Sequence, residues 1–332
     1  MNSRFLIYVL VPGLLVPTCI LAVCLNLMVL VVLKFSSRMR STSNTLVFSL
    51  ALADLMHVVI YTPSKIIQYH YFDIWIWGEW ACRGLMYIRD VSLCVTQYTL
   101  VLMALNRYLA VGFPSNRITR TLQKNLGKAA LAVWLLTPAA NLFGVFVYGL
   151  GKHPGTNSDI CTFLYFGWFF EFRLFVFLIF SAIPVSSITI FYVLLAIKLR
   201  TGTRTQETPK AKRAARMVLG FVISFIVLSM PLQVMTLCFS AGLFGSDDTL
   251  DNDALNWTTL VLLICQTLTQ LNCIVDPLLF SFMNTAFRQE VRRLLCRKGH
   301  SRRECRCGHQ ATDDTPFTET VALTSVTRVD VS

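Results

Sequence analysis

Charge is what this sequence has least of: only 14% of its 332 residues are Asp, Glu, Lys or Arg, and 18 acids face 30 Lys and Arg. Together with 55% hydrophobic residues, that scarcity excludes an ordinary soluble domain of this length. Catalytic signatures are also missing. The apolar stretches hold no His-Glu-x-x-His, Gly-x-Ser-x-Gly or paired-Asp motif, so no enzyme is expected. An internal repeat of Gly- or Pro-broken helices, the mark of many transporters, is lacking too. No nucleic-acid module accompanies the net charge of +12, which fits attraction to anionic membrane lipids instead. Met1 to Phe5 is too short and too weakly basic for an ordinary signal peptide, so the first apolar run is expected to be its own anchor.

What is present is a set of long apolar runs, near 6–34, 43–68, 80–110, 127–149, 170–198, 212–242 and 256–282. About 20 such residues cross a hydrocarbon core of about 30 Å as a helix. Unbroken runs, rather than short alternating segments, select helices over a barrel. The expected fold is an all-α membrane protein, a seven-transmembrane helix bundle. Phe287, Val291 and Leu294–Leu295 fall on one face and Arg292 and Arg293 on another, which predicts a short amphipathic eighth helix along the inner membrane surface. The membrane-spanning body with its eighth helix is then expected over 1–298 and a disordered cytoplasmic tail over 299–332.

Basic residues set the orientation. Lys34, Arg38 and Arg40 follow the first run, Arg117, Arg120, Lys124 and Lys128 the third, Lys198 through Arg216 the fifth, and Arg288 through Arg306 the seventh. These segments are expected in the cytoplasm. The opposite loops carry Asp73, Glu79, Asp159, Asp247, Asp248, Asp251 and Asp253, which puts the N-terminus outside, as in a multi-pass protein of the plasma membrane. The sequon at Asn256 lies so near the membrane that it is expected unmodified.

Of the 11 cysteines, most lie inside runs, where a buried thiol is the plain reading. Cys82 and Cys161 instead fall on the outer side, where a bridge between loop and helix is open to them. Cys296 is a candidate for palmitoylation. Cys305 and Cys307 with His300 and His309 suit a reduced pair better than zinc.

Polar groups inside runs are costly and should face the bundle interior. Asn26, Asp54, Thr96, Asn272 and Asp276 form one such set. Two readings are open for Asp54, Thr96, Asn272 and Asp276: oxygen ligands for a hydrated Na⁺, or a hydrogen-bonded packing network without an ion. Nearer the outer side lie Lys65, Arg89 and Arg173, a basic cluster that either binds an anionic group or is neutralised by Asp90 and Glu171. Gln68, His70, Gln97 and Gln233 are candidates to line the same cavity.

Certain residues carry a family likeness: Asn26 in Leu-Asn-Leu, Asp54 in Leu-Ala-Leu-Ala-Asp-Leu, Cys82, Asn106-Arg107-Tyr108, Trp134, Pro184 with Tyr192, Phe225 with Pro231, and Asp276-Pro277-Leu278-Leu279-Phe280. With one marker on each run, in order, the chain resembles the rhodopsin-like (class A) G-protein-coupled receptors over about residues 6–296. The resemblance implies an outer disulfide between Cys82 and Cys161, and makes Trp75-Ile76-Trp77-Gly78 similar to the family's first outer-loop motif. It further implies a ligand cavity open to the outside, an outward swing of the sixth helix at Pro231, and a cytoplasmic cleft for a heterotrimeric G protein lined by Arg107 and Tyr192.

Departures from the family pattern bear on switching. Asn106 stands in place of the usual acid, Ser229 in place of the usual tryptophan two residues before Pro231, and Phe280 in place of the usual tyrosine. Altered or constitutive coupling is the resulting expectation, with a non-coupling decoy receptor as an alternative. Arg89 occupies the place of the amine receptors' aspartate, which disfavours a biogenic amine. A peptide is the preferred ligand, and Lys65, Gln68, Arg89, Asp90, Arg173 and Gln233 the expected contacts; a carboxylated lipid or other small anion is the alternative. No cofactor is expected. Thr312, Thr315, Thr318, Thr320, Thr324, Ser325 and Thr327 beside Asp313, Asp314 and Glu319 suit phosphorylation and arrestin binding.

Overall fold

A computed structural model describes residues 11–39, 41–70, 74–152, 157–164, 168–201, 209–243 and 252–298. The tail 299–332, the acids Asp73, Asp247, Asp248 and Asp251, and the cysteine and histidine pairs of the tail lie outside the described residues, as do the side chains of His70, Asn256 and Cys296. Residues Met1–Glu290 form one compact unit and Val291–Ser332 another, of which the described part is the end of a helix.

Among the described residues, seven helices are long and apolar enough to cross a membrane: Gly13–Phe35, Ser43–Gln68, Gly78–Gly112, Arg117–Val147, Phe169–Lys198, Ala215–Ser240 and Leu260–Met283. They are the first to seventh spans below. Starts follow local chemistry. The Ser41 hydroxyl accepts from the Asn44 N–H at 3.3 Å, and the Asn116 side chain accepts from the Ile118 N–H at 2.9 Å, each satisfying a donor that the first helical turn leaves free. The Asn116 cap starts the fourth span's helix at Arg117 rather than near 127, so Arg117, Arg120, Lys124 and Lys128 ride on helix and not on loop. Apolar length marks only the part of a helix that meets lipid.

Three prolines explain three interruptions. Proline lacks an N–H and its ring crowds the carbonyl four residues back, so the turn before it loosens. A π-turn at His57–Tyr61 ends two residues before Pro63. A second, Leu178–Ala182, ends two residues before Pro184. In the sixth span the helix breaks at Ser229, two residues before Pro231.

Buried polar groups tie the spans together. Asn26 donates to the carbonyls of Ala22 and, across to the seventh span, Cys273 at 2.8 Å. The Trp134 indole donates to the Ser49 hydroxyl at 2.9 Å, and Ser49 meets Thr99 at 3.2 Å, which links the fourth, second and third spans. Tyr98 donates to the carbonyl of Ile179 in the second π-turn at 2.9 Å. Between these bonds the packing is apolar, with Phe221, Phe225, Phe280 and Phe287 fully buried. A short helix, Thr285–Lys298, follows the seventh span, and the Phe287 ring meets Phe280 edge to face at 4.9 Å between centroids.

One element was not visible in the apolar pattern. Strands β1 (Tyr148–Lys152) and β2 (Asp159–Phe163) pair antiparallel, Tyr148 opposite Phe163 and Leu150 opposite Cys161. The Cys82–Cys161 disulfide, Cα–Cα 5.5 Å, fixes this hairpin to the third span. Two further ties hold its flanks: the Trp75 N–H donates to the Asp159 carbonyl at 2.7 Å, and Arg83 donates to the Val145 carbonyl at 3.2 Å.

Candidate ligand cavity and switch residues

Beneath the hairpin the spans enclose a cavity of about 310 Å³. Lys65 and Gln68 reach it from the second span, Arg89 and Asp90 from the third, Arg173 from the fifth and Gln233 from the sixth; all six residues expected to contact ligand line one space. The hairpin's Tyr148, Thr162 and Phe163 close part of it, and Asn141, Gln97 and Gln266 add amides to its wall. Of the candidates, His70 is outside the described side chains.

The three cations are in three states. Arg89 is neutralised: its guanidinium meets the Asp90 carboxylate at 2.9 Å, with Nε donating to Oδ1 at 3.0 Å, and it donates to the Tyr148 hydroxyl, which itself donates to Asp90 Oδ2 at 3.1 Å. Its plane also lies over the Tyr61 and Tyr148 rings at 5.6 and 5.3 Å. Burial, with Asp90 adding to it and Arg89 opposing, raises the Tyr148 hydroxyl above its ordinary pKa, so it stays protonated and able to donate. Lys65 donates to the Gln68 side-chain oxygen at 2.8 Å. Arg173 is only 8% exposed and lies over the Phe163 ring at 4.8 Å, yet its Nε has no acceptor among the described residues.

A second, much smaller cavity of about 10 Å³ lies deeper, lined by Asp54, Thr96, Asn272, Ser92 and Ser229 among others. Asp54 Oδ2 and Asn272 Oδ1 are buried there without a hydrogen-bond partner among the described residues. Asp276 lies beside rather than on this wall, because its carboxylate is engaged: Ser224 donates to Oδ1 at 3.2 Å and the Asn272 amide to Oδ2 at 3.0 Å. Among the described residues no group of three His, Cys, Asp or Glu side chains is placed to hold a metal, so any ion here would rely on the single Asp54 carboxylate together with amide and hydroxyl oxygens.

At the other end of the third span, Asn106 is buried and donates to the Ser43 hydroxyl at 3.5 Å across to the second span. Among the described residues, none of the ion pairs involves Arg107. The Tyr192 hydroxyl donates to the Ala215 carbonyl at 3.3 Å, a bond from the fifth span to the start of the sixth. Tyr108 stacks on Phe191, rings 6.0 Å apart.

Residues 25–280 match the model of the seven-transmembrane receptors of the rhodopsin family, which covers well over half of the chain. The chain belongs to that family. Among similar proteins are the allatostatin-A receptor of Bombyx mori, 26% identical over 81% of this receptor and 75% of its own length, and the neuropeptide CCHamide-1 receptor of Drosophila melanogaster, 28% identical over 84% and 59%. Somatostatin receptor type 1 of Rattus norvegicus is 27% identical over 84% of this receptor and 69% of its own length. The family expectation formed from one marker per span is borne out, and with it a multi-pass bundle.

Tyr148, Asn141, Ser224 and Gln266 are among the site residues that escaped notice in the sequence. Tyr148 carries no signal, since a tyrosine at the end of an apolar run is commonplace. Asn141 and Ser224 did carry one, being polar groups inside spans, and that rule would have found them.

Proposed function

We propose that this receptor sits in the plasma membrane with its hairpin end outside, binds an extracellular peptide in the cavity of about 310 Å³, and activates a heterotrimeric G protein at the opposite end. The observation that carries this reading is the cavity itself. It is roofed by a disulfide-anchored hairpin and lined by amides and charges of both signs, Lys65, Gln68, Arg89, Asp90, Arg173 and Gln233, chemistry that suits a polar oligomer better than a compact amine. The names of its relatives point the same way: allatostatin-A, CCHamide-1 and somatostatin receptors.

On this reading peptide binding favours a bundle in which the sixth span swings at its break beside Ser229 and Pro231, parting Tyr192 from Ala215 and uncovering Arg107. Phe225 and Phe280 repack in the same step, and Tyr108 holds the third span against Phe191. Asp54, Thr96 and Asn272, with two acceptor oxygens unpaired among the described residues on a cavity about the size of one water, fit a Na⁺ ion, and Asp276 steadies Asn272 by accepting from its amide one helical turn on. The helix Thr285–Lys298 lies on the inner membrane surface with Cys296 as a lipid anchor, and the tail 299–332 takes phosphate and arrestin.

The test is a second-messenger screen in cells displaying the receptor, with a synthetic neuropeptide library set against amine and fatty-acid panels. A response to one or more peptides and none to amines is expected. Responses confined to fatty acids, or silence to every panel from receptor shown to be at the surface, would contradict the reading.

A further inference from the structure

Four charged side chains line the ligand cavity, Lys65, Arg89, Asp90 and Arg173. Arg89 and Asp90 cancel, and Tyr148 completes their hydrogen bonds. Lys65 leans on an amide oxygen. Arg173 stands apart, because it is more than nine-tenths buried and, among the described residues, donates no hydrogen bond and joins no ion pair. Glu171 does not rescue it: two residues apart on a helix, the side chains leave on nearly opposite sides. The guanidinium carbon lies 4.8 Å over the centre of the Phe163 ring, a contact that supplies no hydrogen-bond acceptor to its N–H groups.

A buried cation with no anion is strongly unfavourable unless something supplies the missing charge. We propose that Arg173 recognises a carboxylate carried by the peptide ligand, whereas Arg89 is a positioning residue that fixes the third span to the hairpin. This rests on the peptide-receptor reading above. A single carboxylate matches a single guanidinium in charge and in its two parallel N–H directions, where a dianionic phosphate would need a second cation at the same point. The carboxylate comes from an acidic side chain or from a free C-terminus. Arg173 also borders a side recess of about 430 Å³ rimmed by Phe143, Trp168, Phe172 and Phe175, so a fatty acid is the rival source of the same group.

The test uses the receptor purified into phosphatidylcholine nanodiscs, with the monocarboxylate N-acetylglycine as the acidic probe and N-acetylglycinamide as its neutral counterpart. At about ten times its dissociation constant, N-acetylglycine should raise the thermal unfolding midpoint by about 2–4 °C and the amide should not. Arg173→Gln should abolish that shift without lowering the midpoint of the unliganded receptor, since it removes an unpaired charge; Arg173→Lys should keep part of it. Arg89→Gln should lower the unliganded midpoint, by leaving the Asp90 carboxylate without its cation. No shift in the wild type, an equal shift with the amide, a shift that survives Arg173→Gln, or a fall of several degrees in unliganded Arg173→Gln would each overturn the proposal.

In cells, three hexapeptide pools separate the sources: one with a free C-terminus, one amidated with a single Glu, and one amidated without acid. Signalling confined to an acidic pool and lost in Arg173→Gln supports the proposal and names the source. Signalling by the neutral pool at equal strength, or Arg173-dependent signalling by palmitate alone, overturns it. Silence from all pools beside an Arg173-dependent N-acetylglycine shift would count against the peptide reading and still uphold the carboxylate site.

Discussion

Asn106 differs from an aspartate by one heavy atom, and that atom decides its partner. An aspartate in its place would put a carboxylate beside Arg107, which has no ion pair among the described residues. The amide instead turns to Ser43 at 3.5 Å and ties the third span to the second, while its own oxygen has no partner among the described residues. At this end the Tyr192 bond to Ala215 ties the fifth span to the sixth. Asn106→Asp should add an ion pair that exists only while the bundle is closed. A partly screened pair of this kind is worth up to about 1 kcal/mol, so ligand-independent signalling should fall about two- to fivefold at equal surface expression. Unchanged or increased basal second messenger in the variant would show that Arg107 is restrained by something else.

At the scale of the element, the hairpin is the part whose existence depends most on context. Its first strand, Tyr-Gly-Leu-Gly-Lys, has two glycines in five residues and little strand propensity. Those glycines are there for space: a Cβ on Gly151 would stand 2.7 Å from the Thr162 methyl, and one on Gly149 would meet Leu164 at 2.9 Å. Pairing is therefore enforced by the Cys82–Cys161 bridge and the Trp75 bond to Asp159, not by the strand itself. Replacing both cysteines by alanine should speed amide exchange across Tyr148–Phe163 at least tenfold and lower the unfolding midpoint by several degrees, as hydrogen–deuterium exchange and a thermal melt would record. Protection equal to wild type would mean that the hairpin stands without its bridge.

The same contrast explains what the chain disclosed in advance. Spans two, three, five, six and seven were legible to within a few residues, because lipid rewards apolar length directly. The fourth span's early start was not, since its first turns are basic, amphipathic and begun by a cap at Asn116. Arg89, Asp90 and Arg173 were visible as charges in apolar surroundings. Which of them is neutralised was not visible, because the answer rests on Tyr148, a residue brought 59 positions across the chain by the hairpin.

For the whole molecule, the two ends are joined by a column of polar groups and proline-loosened turns. The cavity's Arg89 belongs to the same span as Asn106 and Arg107, and the sixth span that carries Gln233 at the cavity breaks at Ser229 before it reaches Tyr192's partner, Ala215. Ligand contacts at one end therefore bear on segments that bound the other, which is the requirement for transmitting a signal across a membrane. The most direct test is guanine-nucleotide exchange by purified heterotrimeric G protein, measured with the receptor in nanodiscs before and after adding the peptide found active on cells. The account predicts at least a tenfold rise in exchange rate that depends on receptor and peptide together; a rate unmoved by a peptide that demonstrably binds would contradict it.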